Sequence, residues 1–253
     1  MNESEIAAAA NALLRARASN APLDVDAQPS VPSSLADAYA IQALVAAGTG
    51  AVGGWKIGAP SPRAPATFAP LASAGVCASG IALGDGGRRM RGIEVEVAYR
   101  LAKGLPSRCE AYEADEVAVA VDAVLPIIEV VETRLSDRNA GNGMWALADN
   151  LSHGELVVGN AVKAWQDLRL EELAVLLRFD GEVIVDRVCR NAAGHPFDLL
   201  VRLANLCGTH CGGLRAGQIV TTGSLMGLEL APVGAMVSAT IEGVGTVEMK
   251  FSQ

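Results

Sequence analysis

The sequence predicts an α+β fold, and three observations carry that prediction. Two alanine-rich stretches with helical periodicity open the chain, at 3–19 and 35–45. From residue 54 onward the dominant signal is the short apolar segment bounded by glycine, the mark of strands and tight turns. Helical stretches interrupt those strands only twice, so the elements do not alternate in the βαβ manner of a parallel α/β sheet. The 253 residues are 51% hydrophobic and 19% charged, the composition of a globular protein able to bury a substantial core. Aromatic residues make up only 4%, so Ala, Val and Leu with close backbone approach must fill that core.

In order along the chain, Glu3 to Ser19 places Ile6, Ala9, Leu13 and Leu14 at helical spacing, with Arg15 and Arg17 complementing the dipole at its end. Pro22 to Pro32, with three prolines, reads as an extended connector. Ser33 or Ser34 caps a second helix whose apolar face is Leu35, Ala38, Ile41, Leu44 and Val45. Gly54 to Gly58 is a strand, and the Pro/Ala-rich stretch Ser61 to Ala78 reads as a long irregular loop. Arg91 to Tyr99 alternates as a strand. Glu113 to Val124 reads as a helix with Val117, Val121 and Val124 inward, leading into a strand around Glu129. A polar loop, 136–143, runs to Ala148-Asp149-Asn150. Val157 to Gly159 and Leu176 to Val185 read as strands, with Gly181 in a hairpin turn. Pro196 to Leu206 is a helix presenting Phe197, Leu200, Val201 and Ala204. The last forty residues read as antiparallel β, the edge of a roll or sandwich. Residues 1–80 thus form a helical section carrying a lysine strand and its loop, and 81–253 a β core, in one compact unit.

The stretch richest in chemistry is Ile93-Glu94-Val95-Glu96-Val97. Residues two apart in a strand share a face, so the carboxylates of Glu94 and Glu96 lie roughly 6–7 Å apart. Burying two such charges raises at least one pKa unless a cation sits between them. A solvated strand face accounts for this pair by itself. Glu129 weighs against it, because an acid among six apolar residues, Leu125 to Val131, is rarely left unpaired. A hard-metal site of carboxylates is expected. Lys56, between Trp55 and Ile57 and bracketed by glycines, is either an ordinary edge-strand lysine or a proton donor or base whose pKa the apolar setting depresses.

Two apparent motifs are set aside. Gly48-Thr49-Gly50-Ala51-Val52-Gly53 matches G-x-G-x-x-G, but a helix precedes it, a strand follows, and position 73 is Ser rather than an acid. A helix cap and turn explain it. Cys207-Gly208-Thr209-His210-Cys211 resembles zinc ligands, yet no second pair lies nearby, and a helix end with a buried thiol is expected. A net charge of −8 without a basic patch argues against nucleic acid as a partner. No apolar run reaches membrane-span length and the N-terminal stretch lacks signal-peptide shape, so no membrane association is expected. The five scattered cysteines are then reduced thiols in a cytoplasmic protein.

Seven pieces of the chain, in order, resemble the 2-oxopent-4-enoate hydratase and 4-oxalocrotonate decarboxylase family within the fumarylacetoacetate hydrolase superfamily. They are Asp37 to Gln42, Gly54 to Gly58, Ile93 to Val97, Leu125 to Val131, Ala148-Asp149-Asn150, Gly194-His195-Pro196 and Thr222-Gly223-Ser224. The resemblance implies a mixed β-roll with a helical N-terminal section and a Mg²⁺ or Mn²⁺ ion held by Glu94, Glu96 and Glu129. It also implies a small 2-oxo or 2-hydroxydienoic acid substrate, Lys56 near the chelated end, and Asn150, Thr222, Gly223 and Ser224 toward the substrate. Hydratases of the group tend to carry an acid before a glycine in the loop after the lysine strand, where this chain has Ser73-Ala74-Gly75. Ser73 therefore stands in a catalytic position with a poorer base. Arg138 occupies a loop position where an aromatic is common. The resemblance implies a lyase, first a hydratase forming a 4-hydroxy-2-oxo acid in aromatic catabolism, with decarboxylation of a 2-oxo diacid as the alternative. A non-catalytic assembly partner is the reading from another class, since the two enzymes associate in the family. Homo-oligomers, and a complex with a partner lyase, are expected on the same basis.

Overall fold

The computed structural model describes residues 1–139 and 143–252. Five α-helices are present among them: α1 (Glu3–Ser19), α2 (Leu35–Thr49), α3 (Ala114–Ala120), α4 (Met144–Ala148) and α5 (Pro196–Leu206). The first eight-stranded sheet holds β1 (Val52–Gly58), β2 (Thr67–Ala72), β3 (Val76–Ala78), β5 (Gly92–Leu101), β6 (Val121–Val131), β7 (His153–Val158), β10 (Ile219–Thr221) and β11 (Glu229–Leu230). Its main path runs β2-β1-β10-β5-β6-β7-β3, and β11 adds to β5. The second sheet, ordered β4-β13-β12-β8-β9, comprises β4 (Ile81–Gly84), β8 (Leu173–Phe179), β9 (Glu182–Cys189), β12 (Met236–Ile241) and β13 (Gly245–Ser252). The two sheets face one another across the main core, where Ile128, Val130, Val237, Val247 and Phe251 are buried. A separate apolar cluster, with Leu13, Ile41, Val45 and Trp145, joins α1, α2 and α4.

Local chemistry sets the helix ends as expected. Asn2 and Glu5 form a reciprocal capping box on α1, Asn20 closes it in the left-handed region, and Ser34 caps α2. Asp180 and Gly181, both at positive φ, make the two-residue turn between β8 and β9.

Several expectations are corrected. The stretch 61–78 is no loop: it carries β2, a 3-10 turn over Ser73–Gly75, and β3. Pro70 disguises β2, and its missing donor is tolerated because β2 is the sheet edge. The helix expected over 113–124 ends at Ala120, and Val121 and Val124 belong to β6, since spacings of three and four among valines suit either structure. On α2, Leu35 and Leu44 are exposed while Gln42 is buried, its Nε2 donating to the carbonyls of Phe68 and Leu147. On α5 the buried face is Leu199, Leu200, Leu203 and Ala204 rather than one centred on Phe197 and Val201. The C-terminal strands are not purely antiparallel, because β10 runs parallel to β1 and β13 parallel to β4.

Gly53, the last glycine of the rejected nucleotide motif, and Gly54 beside it have packing roles. A Cβ on Gly53 would stand 2.5 Å from the Ser73 backbone, and one on Gly54 would meet the Ile219 carbonyl at 2.5 Å. Close approach of β1 to its neighbours requires both glycines. Cys207 and Cys211 are free, and burial pushes their thiols up to about 12 and about 11. His210 is engaged with Gln42 at 3.0 Å, so this helix end is structural. The polar loop after Arg134 includes residues 140–142, outside those described.

Candidate metal centre

The β5–β6 register sets Glu94 directly opposite Glu129, with Glu96 opposite Ile127. Glu96 lies two residues along from Glu94, so all three carboxylates project from one face. One oxygen from each lies within 4.8 Å of the others. Glu96 and Glu129 are 1% and 0% exposed, so each oxygen needs a partner.

Half of that demand is met by protein donors. Glu96 Oε2 accepts from Thr221 Oγ1 and from the Gly223 amide at 2.8 Å, and Glu129 Oε1 accepts from Lys56 Nζ at 2.5 Å and His153 Nδ1 at 3.0 Å. Among the described residues, Glu96 Oε1 and Glu129 Oε2 have no partner. Each buried carboxylate thus has one oxygen anchored and one left bare within a tight acidic cluster. That oxygen set fits a hard divalent cation, which takes carboxylate ligands and relieves their repulsion.

Electrostatics divide the three acids. For Glu129, burial works to raise the pKa, but the Lys56 charge and the His153 hydrogen bond outweigh it and hold the carboxyl down at about 2. Burial and then the Glu129 charge push Glu94 up to about 7 and Glu96 up to about 8. For Lys56, burial acts to lower the pKa, yet Glu129, Glu94 and Glu96 together raise it. The depressed lysine expected from its apolar neighbours is therefore corrected: Lys56 stays an ammonium ion.

Lys56 comes from β1, three strand spacings from β6 through β10 and β5. On a flat sheet that is about 14 Å, beyond what a lysine and a glutamate side chain jointly span. The sheet must curl around the site to bring Lys56 to Glu129. Lys56 Nζ also donates to the Leu151 carbonyl at 3.2 Å. Leu151 lies in a run of three non-glycine residues at positive φ, Asn150 (51°), Leu151 (54°) and Ser152 (58°). Arg134 clasps this turn: Nε donates to Asp149 Oδ1 at 2.8 Å, one terminal amine to the Asp149 carbonyl at 3.0 Å, and the other to the His153 carbonyl at 2.8 Å.

The cluster floors a cleft of about 900 Å³ whose lining includes Lys56, Glu94, Glu96, Gly223 and Ser224. The other expected residues are placed differently. Thr222 is fully buried and donates to the Val97 carbonyl at 2.8 Å, so it faces away from the cleft and Thr221 takes the inward position. The Gly223 amide is spent on Glu96, and the Ser224 hydroxyl donates to the Gly227 carbonyl at 2.7 Å within its own turn. Asn150 is 4% exposed and does not line the cleft. Ser73 is exposed in the 3-10 turn and also lies outside the lining.

Residues that sequence reasoning passed over complete the site. Asn191 Nδ2 holds the Thr222 and Gly223 carbonyls at 2.6 and 3.0 Å, fixing the backbone that anchors Glu96. His153 had a visible signal, a histidine four residues after the Asp149 of a matched motif, but nothing local links it to Glu129.

Fold and site together define a curled β-roll protein whose cleft is floored by acids with the ligand set of a divalent cation. The chain belongs to the fumarylacetoacetate hydrolase family: the family model described as fumarylacetoacetate (FAA) hydrolase C-terminal matches residues 44–252. The family resemblance and the α+β fold read from the sequence are borne out. The chain is 31% identical over 185 residues to 2-keto-4-pentenoate hydratase 2 of Dechloromonas aromatica (strain RCB), covering 70% of this chain and 69% of that one. It is 28% identical over 166 residues to 2-hydroxyhexa-2,4-dienoate hydratase of Comamonas testosteroni, covering 63% of this chain and 60% of that protein's length. The structure of 4-oxalocrotonate decarboxylase from Pseudomonas putida G7, complexed with magnesium and adipate, superposes with a TM-score of 0.85. That likeness spans 100% of this chain and 99% of the other at 21% identity, and shows the shared fold. Among the described residues no helix is long and apolar enough to cross a membrane.

Proposed function

We propose that the protein is a metal-dependent lyase that hydrates a 2-hydroxydienoate, of the 2-oxopent-4-enoate type, to a 4-hydroxy-2-oxo acid. The single observation behind this reading is the pair of bare, buried oxygens on Glu96 and Glu129 beside Glu94, on the floor of a cleft. Glu94, Glu96 and Glu129 would hold Mg²⁺ or Mn²⁺. When bound, that ion supplies Lewis-acid stabilisation of negative charge developing on the 2-oxygen of the substrate. The hydratases among the relatives and the magnesium in the decarboxylase structure support the choice.

The chain's own residues do the rest. Lys56 holds its proton at Nζ and presents a fixed positive charge beside Glu129, which suits an electrostatic stabiliser rather than a base. Thr221, Gly223 and His153 orient the carboxylates through their anchored oxygens. Ile57, Leu225 and Met226 contribute apolar wall to the cleft.

One observation favours a second reaction. Among the described residues, the only carboxylates lining the cleft are Glu94 and Glu96, and Ser73 lies outside it, so none of them offers a separate acid to activate water. Decarboxylation of a 4-oxalocrotonate-type diacid needs only the electron sink. Cytoplasmic location and assembly as a homo-oligomer or with a partner lyase belong to the same proposal. Incubation with 2-hydroxypentadienoate and with 2-oxohex-3-enedioate, with and without Mg²⁺, separates the readings. Ultraviolet loss of the first without CO₂ release supports hydration, and CO₂ from the second alone supports decarboxylation. Turnover of neither, with no Mg²⁺-dependent oxalate binding, leaves the non-catalytic partner.

A further inference from the structure

We infer that the cavity between the end of α1 and the loop after β4 is a second ligand site, taking a phosphate-type oxyanion with Arg17 as its main partner. It shares no lining residue with the metal cleft, and the inference does not rest on the metal reading. Its volume is about 260 Å³, below the roughly 300–1,000 Å³ of pockets for larger organic ligands, so it suits a small ion or the phosphoryl end of a small metabolite.

The first observation is which donors and acceptors in the cavity are already matched. Three arginines and two glutamates line it. Arg88 holds Glu155 through bonds of 2.9 and 2.6 Å and gives its Nε to the Gly84 carbonyl at 2.7 Å. Arg134 is spent on Asp149 and the clasped turn. Glu132 accepts from the amides of Arg89 and Met90, each at 3.1 Å. Arg17, in the last turn of α1, is the exception: among the described residues its Nε is buried without a partner. The one acid within 4.0 Å of it, among those residues, is Asp149 at 3.7 Å, through an oxygen that already accepts from Arg134 Nε at 2.8 Å. That separation is too long for a hydrogen bond. Burial, and next the Arg134 charge, pull the Arg17 pKa down to about 10, so it stays charged at neutral pH. A charged group with a donor cut off from water and unpaired costs free energy that an oxyanion would offset. The side chain keeps 29% exposure, which leaves an ion a path from solvent.

The second observation is the glycine loop that shares the cavity. Gly86 and Gly87 line it, and among the described residues their amides donate to no protein acceptor. Gly87 has a φ of +79°, and a Cβ there would stand 2.6 Å from Asn20 Nδ2, so the loop is pressed onto the C-cap of α1. Successive amides around a left-handed residue form concavities that receive oxyanions. A tetrahedral ion suits this combination, since two of its oxygens can take the fork of an arginine while a third takes an amide. A carboxylate has no third oxygen to offer. Through Asp149, which Arg17 approaches and Arg134 holds, the cavity adjoins the turn whose Leu151 carbonyl receives Lys56.

The test is calorimetric titration of the full chain with phosphate, glycerol 3-phosphate and acetate at constant ionic strength. EDTA in the buffer keeps any ion in the cleft from recruiting phosphate. We expect one saturable phosphate site per chain, about tenfold or more tighter than acetate. R17Q should weaken phosphate by a similar factor. A thermal melt in phosphate-free buffer checks that this variant folds, and R17K, which keeps the charge without the fork, should show intermediate affinity. Glycerol 3-phosphate binding as tightly as the free ion supports the site and assigns it to a phosphorylated metabolite, whereas its exclusion supports the site and assigns it to inorganic phosphate. No saturable phosphate binding, equal binding of acetate, or phosphate affinity unchanged in both Arg17 variants overturns the inference.

Discussion

Glu94 and Glu129 stand directly opposite each other in the β5–β6 ladder, a pairing that places two acids where like charges repel. The protein answers it unevenly. Glu129 receives an ammonium and an imidazole donor, while Glu94 receives neither and is pushed toward its neutral form. Glu94→Gln should therefore abolish turnover with the fold intact and leave the metal-free protein as stable as before, or more so by about 0.2–1 kcal/mol. Thermal melts in EDTA and activity with Mg²⁺ check both halves. Undiminished turnover would remove Glu94 from the ligand set.

Proton and metal compete for the same oxygens. Glu94 and Glu96 have folded pKa values raised to about 7 and about 8 from 4.5. Their contribution to the stability of the metal-free protein is complete below 4.5 and is lost as pH rises through 7 to 8. Binding of Mg²⁺ needs the ionised carboxylates, so the Mg²⁺-induced rise in Tm should be larger at about pH 8.5 than at about pH 6. An equal rise at both pH values would show that these acids do not titrate in concert with the ion.

His153 Nδ1 must carry its hydrogen to donate to the Glu129 carboxylate, which fixes its tautomer. His153→Ala should weaken Mn²⁺ binding about 10- to 100-fold, as loss of a residue supporting a ligand does. His153→Asn, which keeps a donor at similar reach, should recover part of that loss. Mn²⁺ affinity measured by electron paramagnetic resonance reads this without turnover, and unchanged affinity in the alanine variant would reduce His153 to a packing residue.

Arg134→Met would leave Asp149, 0% exposed, with only the Arg17 guanidinium at 3.7 Å as a charged partner and would free both carbonyls of the clasped turn. The expected cost is about 3–5 kcal/mol in urea denaturation. A loss under about 1 kcal/mol would mean that Arg17 takes over the pairing with Asp149.

The acids of the site were legible because period two and an acid within an apolar run are local signals. The pairing of Glu94 with Glu129 was not, since register is decided between strands. Thr222 shows the same limit: one step along β10 exchanges the faces, and the residue that holds Glu96 is Thr221. For Lys56 the sequence displays Trp55 and Ile57 but not the carboxylates that the curled sheet brings to it, so the direction of its pKa came out reversed. Strand β2 was hidden by Pro70, and the passage from α3 to β6 by valines that fit both periods.

The left-handed run Asn150-Leu151-Ser152 sets two requirements against each other. Each L-residue held there costs roughly 1–2 kcal/mol relative to a relaxed backbone, and glycine at Leu151 would remove much of that cost. A glycine would also widen the range of positions open to the carbonyl that receives the Lys56 ammonium. Leu151→Gly should then melt higher or unchanged while lowering kcat more than it alters KM, a result thermal melts and steady-state kinetics would show. At this one turn the folding landscape and the working geometry pull in opposite directions, so selection for a sturdier protein and selection for a faster one would choose different residues.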